Sequence, residues 1–188
     1  MHSAIPSEIA EQFESERLLL RCPRPEDGAV VFAAVVESLA DLRAWPMALP
    51  WAQATPSIDA STTFCLNAQK EYRERTAFPM LLIDKVDGEF VGASGLHRID
   101  WTNGRCEIGY WCRTRFRGQG LITEAVLAIT RFAVASLGAR RIECIMDATN
   151  LPSRRVCERA GYRLEDTVES SAQGTGTELR SMCTYAHT

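Results

Sequence analysis

One mixed, mostly antiparallel sheet of about six to seven strands, flanked by helices, is the α/β architecture this chain encodes. Three features carry that reading. Leu121–Leu137 places Val126, Ile129, Thr130, Ala133 and Leu137 at helical spacing between two glycines. Phe78–Asp84 and Phe90–Arg98 read as strands joined at Val86-Asp-Gly, a hairpin signal. Cys106–Met146 reads strand, helix, strand, long enough for a parallel crossover, for which a right hand is the rule.

The remaining elements follow in order. Leu18–Arg21 is a first strand, and Pro25-Glu-Asp opens a helix through about Ser38, with proline and acids in its first turn. Arg43 to Pro56 is irregular and carries Trp45 and Trp51 among three prolines. Ser57 is placed to cap a helix from Ile58 to about Arg75. Asn103-Gly104 centres a turn, after which Cys106–Cys112 returns as a strand. Gly138 ends the long helix, Ile142–Met146 is a short buried strand, and Asn150-Leu-Pro-Ser opens a helix that closes at Gly161. Tyr162–Val168 and Leu179–Tyr185 are the last strands. With no repeat and no linker, residues 1–188 form a single domain, the first 13 residues being an N-terminal extension.

Of the 188 residues, 46% are hydrophobic and 24% charged, with a net charge of −3. That balance argues against a nucleic-acid partner, which needs broad phosphate neutralisation. Positive charge is local instead: Arg113, Arg115 and Arg117; Arg140 and Arg141; Arg154, Arg155 and Arg159. Seven cysteines without C-x-x-C spacing indicate neither a zinc site nor a disulfide framework, and most sit in apolar patterns as small hydrophobes. The N-terminus lacks the marks of a signal peptide, and no apolar run would span a membrane. A reduced, cytoplasmic compartment is expected.

The most informative stretch is Glu107 to Glu124: a strand, a turn containing Gly118 and Gly120 with three arginines around it, then a helix. A glycine turn opening a helix leaves backbone N–H groups unpaired at the positive end of the dipole, a ready anion site. The Gly-Lys-Ser/Thr ending of a P-loop is absent, as is the third glycine of a dinucleotide fingerprint. What remains, Arg115-x-x-Gly118-x-Gly120, resembles the acetyl-coenzyme A loop of the GCN5-related N-acetyltransferases (GNAT). Glu107-Ile-Gly-Tyr-Trp, Gly120-Leu-Ile-Thr-Glu-Ala and Asn150-Leu-Pro-Ser-Arg-Arg-Val-Cys-Glu-Arg-Ala-Gly-Tyr are similar to the branch that acetylates ribosomal-protein N-termini, RimJ and RimL. Trp45, Trp51 and Gly92-Ala-Ser-Gly-Leu-His-Arg-Ile-Asp-Trp add to the likeness, which runs from about Glu14 to Tyr185.

The resemblance implies an acetyl-CoA-dependent N-acetyltransferase with a GNAT fold. It places the pyrophosphate on the amides of Phe116, Arg117, Gly118, Gln119, Gly120 and Leu121, with charge from Arg113, Arg115 and Arg117. The pantetheine would lie along Tyr110, Trp111 and Cys112, where a backbone N–H would serve as oxyanion donor. Asn150 would contact the pantetheine arm, though it is equally a good helix N-cap. Many members carry a proton-donating tyrosine seven residues after that asparagine; here the position is Cys157. Ser153 is the substitute expected from this branch. Glu107 is the candidate base, through water, with His97 the runner-up; Trp45, Trp51 and His97 are candidates for holding the acceptor. An α-amine of pKa 7.7–8.0 is roughly a fifth neutral at pH 7.3, whereas a lysine is about a thousandfold short. A site without a strong base therefore suits a peptide N-terminal amine. A small-molecule amine (antibiotic, polyamine or amino acid) and a non-catalytic acyl-CoA-binding module are the alternatives. The expected partners are thus an amine acceptor, with no nucleic acid and no membrane, and the expected state is a monomer or homodimer.

Overall fold

The computed structural model describes residues 9–46, 48–170 and 180–188. Its strands are β1 (Gln12–Glu14), β2 (Leu18–Arg21), β3 (Phe78–Asp84), β4 (Phe90–Asp100), β5 (Arg105–Cys112), β6 (Arg141–Asp147), β7 (Arg163–Ser170) and β8 (Arg180–His187). They form one eight-stranded sheet in the order β1-β2-β3-β4-β5-β6-β8-β7. All neighbours are antiparallel except β5 and β6, which are parallel. Four α-helices flank it: α1 (Gly28–Arg43), α2 (Ile58–Glu74), α3 (Leu121–Leu137) and α4 (Leu151–Arg159).

The extra strand is β1, which lies partly in the stretch read as an extension. It pairs Phe13 with Leu20, and the Phe13 ring stacks on Phe132 of α3 at 4.8 Å. Three residues are too few to show an alternating pattern, so tertiary contact makes this strand. Residues 1–8 of that extension, and Leu179 at the expected start of the last strand, lie outside the described residues. Helix α1 starts later than read, after a 3-10 turn at Pro25–Asp27, and continues past Ser38 to Arg43 because no glycine or proline stops it. The irregular stretch holds one short turn of 3-10 helix at Pro50–Gln53.

Alternation along the strands divides the core. Leu18, Leu20, Met80, Leu82, Cys106 and Ile108 pack with α3 and with Cys157 and Ala160 at the end of α4. Leu81, Phe90 and Ala93 face the other way, onto Val31, Ala34, Val35 and Leu42 of α1 and Cys65 of α2. All seven cysteines are free thiols. Among the described residues no helix is long and apolar enough to cross a membrane.

The pairing of β5 with β6 positions the site. Only Arg105, Cys106 and Glu107 find partners, in Arg141, Ile142 and Glu143. Beyond them β5 stays on β4 as far as Cys112 and β6 stays on β8 as far as Asp147. The two central strands therefore part, leaving one backbone edge of β5 from Ile108 to Cys112 facing a gap. An opening at the carboxyl ends of parallel strands is where α/β sheets bind ligands.

Candidate active site

Beyond β5 the chain makes one 3-10 turn at Thr114–Phe116, whose Phe116 ring is buried. Gly118 (φ +76°) and Gly120 (φ +77°) then adopt left-handed backbone, and α3 begins. A Cβ at Gly118 would meet nothing within 4 Å, so that glycine is required by its dihedral and not by crowding. Gly120 is the N-cap of α3 and offers no capping side chain, which leaves the first-turn amides for an external acceptor. A groove of about 520 Å³ lies over this turn; Gly118, Gly120, Leu121, Cys112, Asn150 and Ser153 are among its walls.

The arginines around the turn are held by acids. Arg113 reaches Glu37 of α1 at 2.8 Å, Arg115 reaches Glu89 at 3.0 Å, and Arg117 reaches Asp41 of α1 at 2.7 Å. Thr114 donates its N–H to Ser38 and its hydroxyl to Asp41. The Thr114 hydrogen bond, with Arg117, holds the Asp41 carboxyl below its ordinary range. Arg117 lines the groove; Arg113, Arg115 and Gln119 are not among its lining residues, and Gln119 donates to the Arg115 carbonyl at 3.1 Å. Arg115 also stands 3.9 Å from Glu37, and its backbone N–H donates to that carboxylate at 3.3 Å, so Arg113 and Arg115 fasten the turn to α1.

A second clasp comes from a residue the sequence reading passed over. Arg17, next to β2, donates to the Gln119 carbonyl at 3.0 Å and to Glu124 of α3 at 2.7 Å. Glu124 also accepts from the Ser15 hydroxyl and the Arg17 N–H. Burial would raise the Glu124 carboxyl, but these hydrogen bonds prevail and lower it.

Tyr110 extends from β5 on the face that carries Cys106 and Ile108. Its hydroxyl donates to the Ser153 carbonyl at 2.9 Å and accepts from the Ser153 hydroxyl at 3.0 Å, with the Cys157 thiol 3.3 Å away. Burial, helped by Cys144 and Cys157, pushes the phenol well above its ordinary value. The hydrogen bond from Cys144 draws the Cys157 thiol down while raising Cys144 itself. A tyrosine hydroxyl arriving from β5 thus stands beside position 157. Strand alternation held the signal, since Tyr110 shares its parity with the residues facing α3. Asn150 caps α4 through its side-chain oxygen, which accepts from the Ser153 N–H at 3.2 Å, and the amide NH2 is the half left for a ligand.

Glu107 and Trp111 project to the opposite face of β5. Arg98 reaches Glu107 at 2.8 Å and His97 Nε2 stands 3.7 Å from it. Burial opposes ionisation of Glu107, yet His97 and Arg98 outweigh it and lower its pKa. His97 is the direct cross-strand partner of Glu107, and the register break that follows it, with Arg98 at φ +51°, brings Arg98 to the same carboxylate. Gly109 lets His97 lie across β5, since a Cβ there would come within 3.2 Å of the imidazole.

A second cavity, of about 500 Å³, occupies this face between the sheet and α1–α2. Trp51 and His97 line it, whereas Trp45 lines the groove over the glycine turn. The two tryptophans read together from the sequence therefore serve different cavities. Leu49, Tyr110 and Trp111 belong to both, so the spaces meet on β5.

Residues 17–163 match the acetyltransferase (GNAT) domain family. The ribosomal-protein-serine acetyltransferase of Escherichia coli (strain K12) is 31% identical over 125 residues, 65% of this chain and 68% of that one. YdaF of Bacillus subtilis (strain 168) is 28% identical over 149 residues, 79% of each. Among solved structures, RimL, a ribosomal L7/L12 alpha-N-protein acetyltransferase in complex with coenzyme A, superposes with a TM-score of 0.85 at 21% identity, covering 94% of this chain and 97% of that one. The microcin C7 self-immunity acetyltransferase MccE, in complex with acetyl-CoA and AMP, gives 0.80 at 19% identity over 92% of each. The uncapped α3 amides and the two left-handed glycines suit a pyrophosphate, and the unpaired edge of β5 suits a pantetheine arm. The chain belongs to the GNAT acetyltransferase family, on the side of the RimJ and RimL enzymes, and uses acetyl-CoA.

Proposed function

We propose that this N-acetyltransferase acts on the α-amine of a peptide N-terminus. The observation that carries the reading is the meeting of two cavities on β5, a glycine-turn groove on one face and an apolar pocket on the other. The relatives support it: the Escherichia coli protein is named for a ribosomal-protein serine, and RimL for an alpha-N-protein acceptor. Seven free thiols suit a reducing cytoplasm.

Bound acetyl-CoA supplies an activated acyl group as a thioester. The amides of Gly118–Leu121 and the Asn150 amide hold it, and the unpaired edge of β5 provides the N–H for the oxyanion. As the amine nitrogen bonds to the acyl carbon and the carbon–sulfur bond breaks, Glu107 takes the amine proton through a water. Its depressed pKa makes it a weak base, which suffices for an amine already partly neutral. The leaving sulfur takes its proton from a water held by the Ser153 hydroxyl, and Glu107 returns the amine proton to solvent. Tyr110, which stays protonated in its buried setting, holds that hydroxyl in place through their shared hydrogen bond.

Thiol release measured with short free-N-terminus peptides, spermidine and an aminoglycoside tests the acceptor class. Peptides should turn over and carry Nα-acetyl by mass spectrometry, and N-terminally blocked peptides bearing a free lysine should not. Turnover of the polyamine or drug with no peptide modified would replace the peptide reading by the small-molecule one.

A further inference from the structure

We infer that the pocket on the α1–α2 face selects an amine whose adjacent carbon carries a large apolar side chain: a peptide beginning with Leu, Met or Phe. The inference rests on the acyl-transfer reading above and narrows it. The walls are the first ground. Val35, Phe90, Ala93 and Trp111 form the interior, and Trp51 and Phe64 stand at the rim. The rings are mutually packed, with Trp111 5.6 Å from Phe90 and 6.2 Å from Trp51, centroid to centroid. Apolar walls of this kind bind by excluding water from a matching apolar group.

Charge is the second ground. Among the described residues, Glu71, His97 and Tyr110 are the ionisable groups lining the pocket. A polyamine or aminoglycoside carries several cations and would find one carboxylate in that wall. Of the hydroxyls in the wall, Thr55 and Ser61 stand away from β5, and Ser94, on the sheet beside Tyr110 and Trp111, already donates to the Gly109 carbonyl at 2.9 Å. A seryl side chain entering over Trp111 would set its hydroxyl against aromatic rings.

Position is the third ground. The pocket opens onto the groove at Tyr110 and Trp111, so an amine at that edge directs its side chain into the apolar interior. Trp51 and Phe64 are 46% and 41% exposed, large rings left partly uncovered at the mouth, where the rest of a peptide would leave and cover them.

The test is a panel of otherwise identical tetrapeptides beginning with Phe, Leu, Met, Ala, Ser or Lys, assayed for kcat/KM by thiol release. Leucinamide and phenylethylamine serve as single-residue arms. Phe, Leu and Met peptides should exceed the Ser peptide by about 10-fold or more, the scale on which apolar pockets discriminate. In Trp51→Ala/Phe64→Ser that margin should fall to within about threefold, with the KM for acetyl-CoA unchanged. Equal or better use of Ser, Ala or Lys peptides overturns the inference while leaving the acetyltransferase reading intact, as does a margin that survives loss of both rings. If the free amines match the Phe peptide, the apolar preference stands and the peptide source falls. Should no amine be acetylated, the proposed acceptor class fails, and quenching of Trp51 and Trp111 fluorescence still decides the pocket. Saturable quenching by the Phe peptide at least 10-fold tighter than by the Ser peptide upholds the inference, and equal or absent quenching sinks it.

Discussion

Two cavities of nearly equal size, about 520 and 500 Å³, meet on one strand and are built by opposite means. The groove on the α3–α4 side is made of backbone: left-handed glycines, uncapped helix amides and an unpaired strand edge. The pocket on the α1–α2 side is made of side chains, chiefly rings. Backbone sites demand particular residues at fixed spacing, because only some residues permit the dihedrals. Side-chain sites demand only bulk and polarity, which many sequences supply. One half of this enzyme is therefore fixed by geometry, and the other is free to change what it accepts.

Substitutions can separate the two halves. The largest effect is expected from Tyr110→Phe, which removes the phenol shared by Ser153 and Cys157 but keeps the ring. Steady-state kinetics should show kcat reduced about 100-fold, with little change in the KM for acetyl-CoA. A normal kcat would mean that Tyr110 does not position Ser153 and is a packing residue only. Next is Gly120→Ala, which forces left-handed backbone on a residue with a Cβ at about 1–2 kcal/mol. Calorimetry should show acetyl-CoA bound about 5–30-fold more weakly, with the ranking of acceptors untouched. A changed ranking would mean the two cavities are not independent.

Glu107→Gln should lower kcat by about 10-fold, less than the roughly 100-fold or more of a full general base, because an amine already partly neutral needs only assistance. The carboxylate is held below its ordinary pKa by His97 and Arg98. Its stabilising contribution is therefore complete above the unfolded carboxylate value near 4.3 and is lost as pH falls through the lower folded value. Between pH 6 and 9 the variant's rate profile should keep the wild-type shape, which reports the amine. Loss of an acidic limb in that range would show that Glu107 titrates there. Smallest is Glu37→Ala, which frees Arg113 and Arg115 from α1. Thermal melts should register about 1 kcal/mol, and the KM for acetyl-CoA about a threefold rise.

The same contrast explains how far the sequence could be read. The α3 boundaries, Leu121 and Leu137, were legible because glycines bracket a strong helical period. The donor loop was legible because its dihedrals restrict residue choice. Strand β1 was not, since its three residues owe their conformation to pairing with β2 and to Phe132 of α3. Nor was the division of Trp45 from Trp51, which depends on how the stretch between α1 and α2 folds over both faces. Tyr110 lay between these cases. Its strand and its side of the sheet could be read, but its meeting with Ser153 and Cys157 requires α4 to be set against the gap.

The clasp from Arg17 to Gln119 and Glu124 joins residues more than a hundred positions apart in the chain. Closing a loop of that length carries an entropic cost that the strands between its ends must offset. The glycine turn is thus finished only when the N-terminal strands and α3 are together. Coenzyme binding should in turn slow amide hydrogen exchange at Ser15–Leu20, reporting through a remote strand that the whole fold is intact.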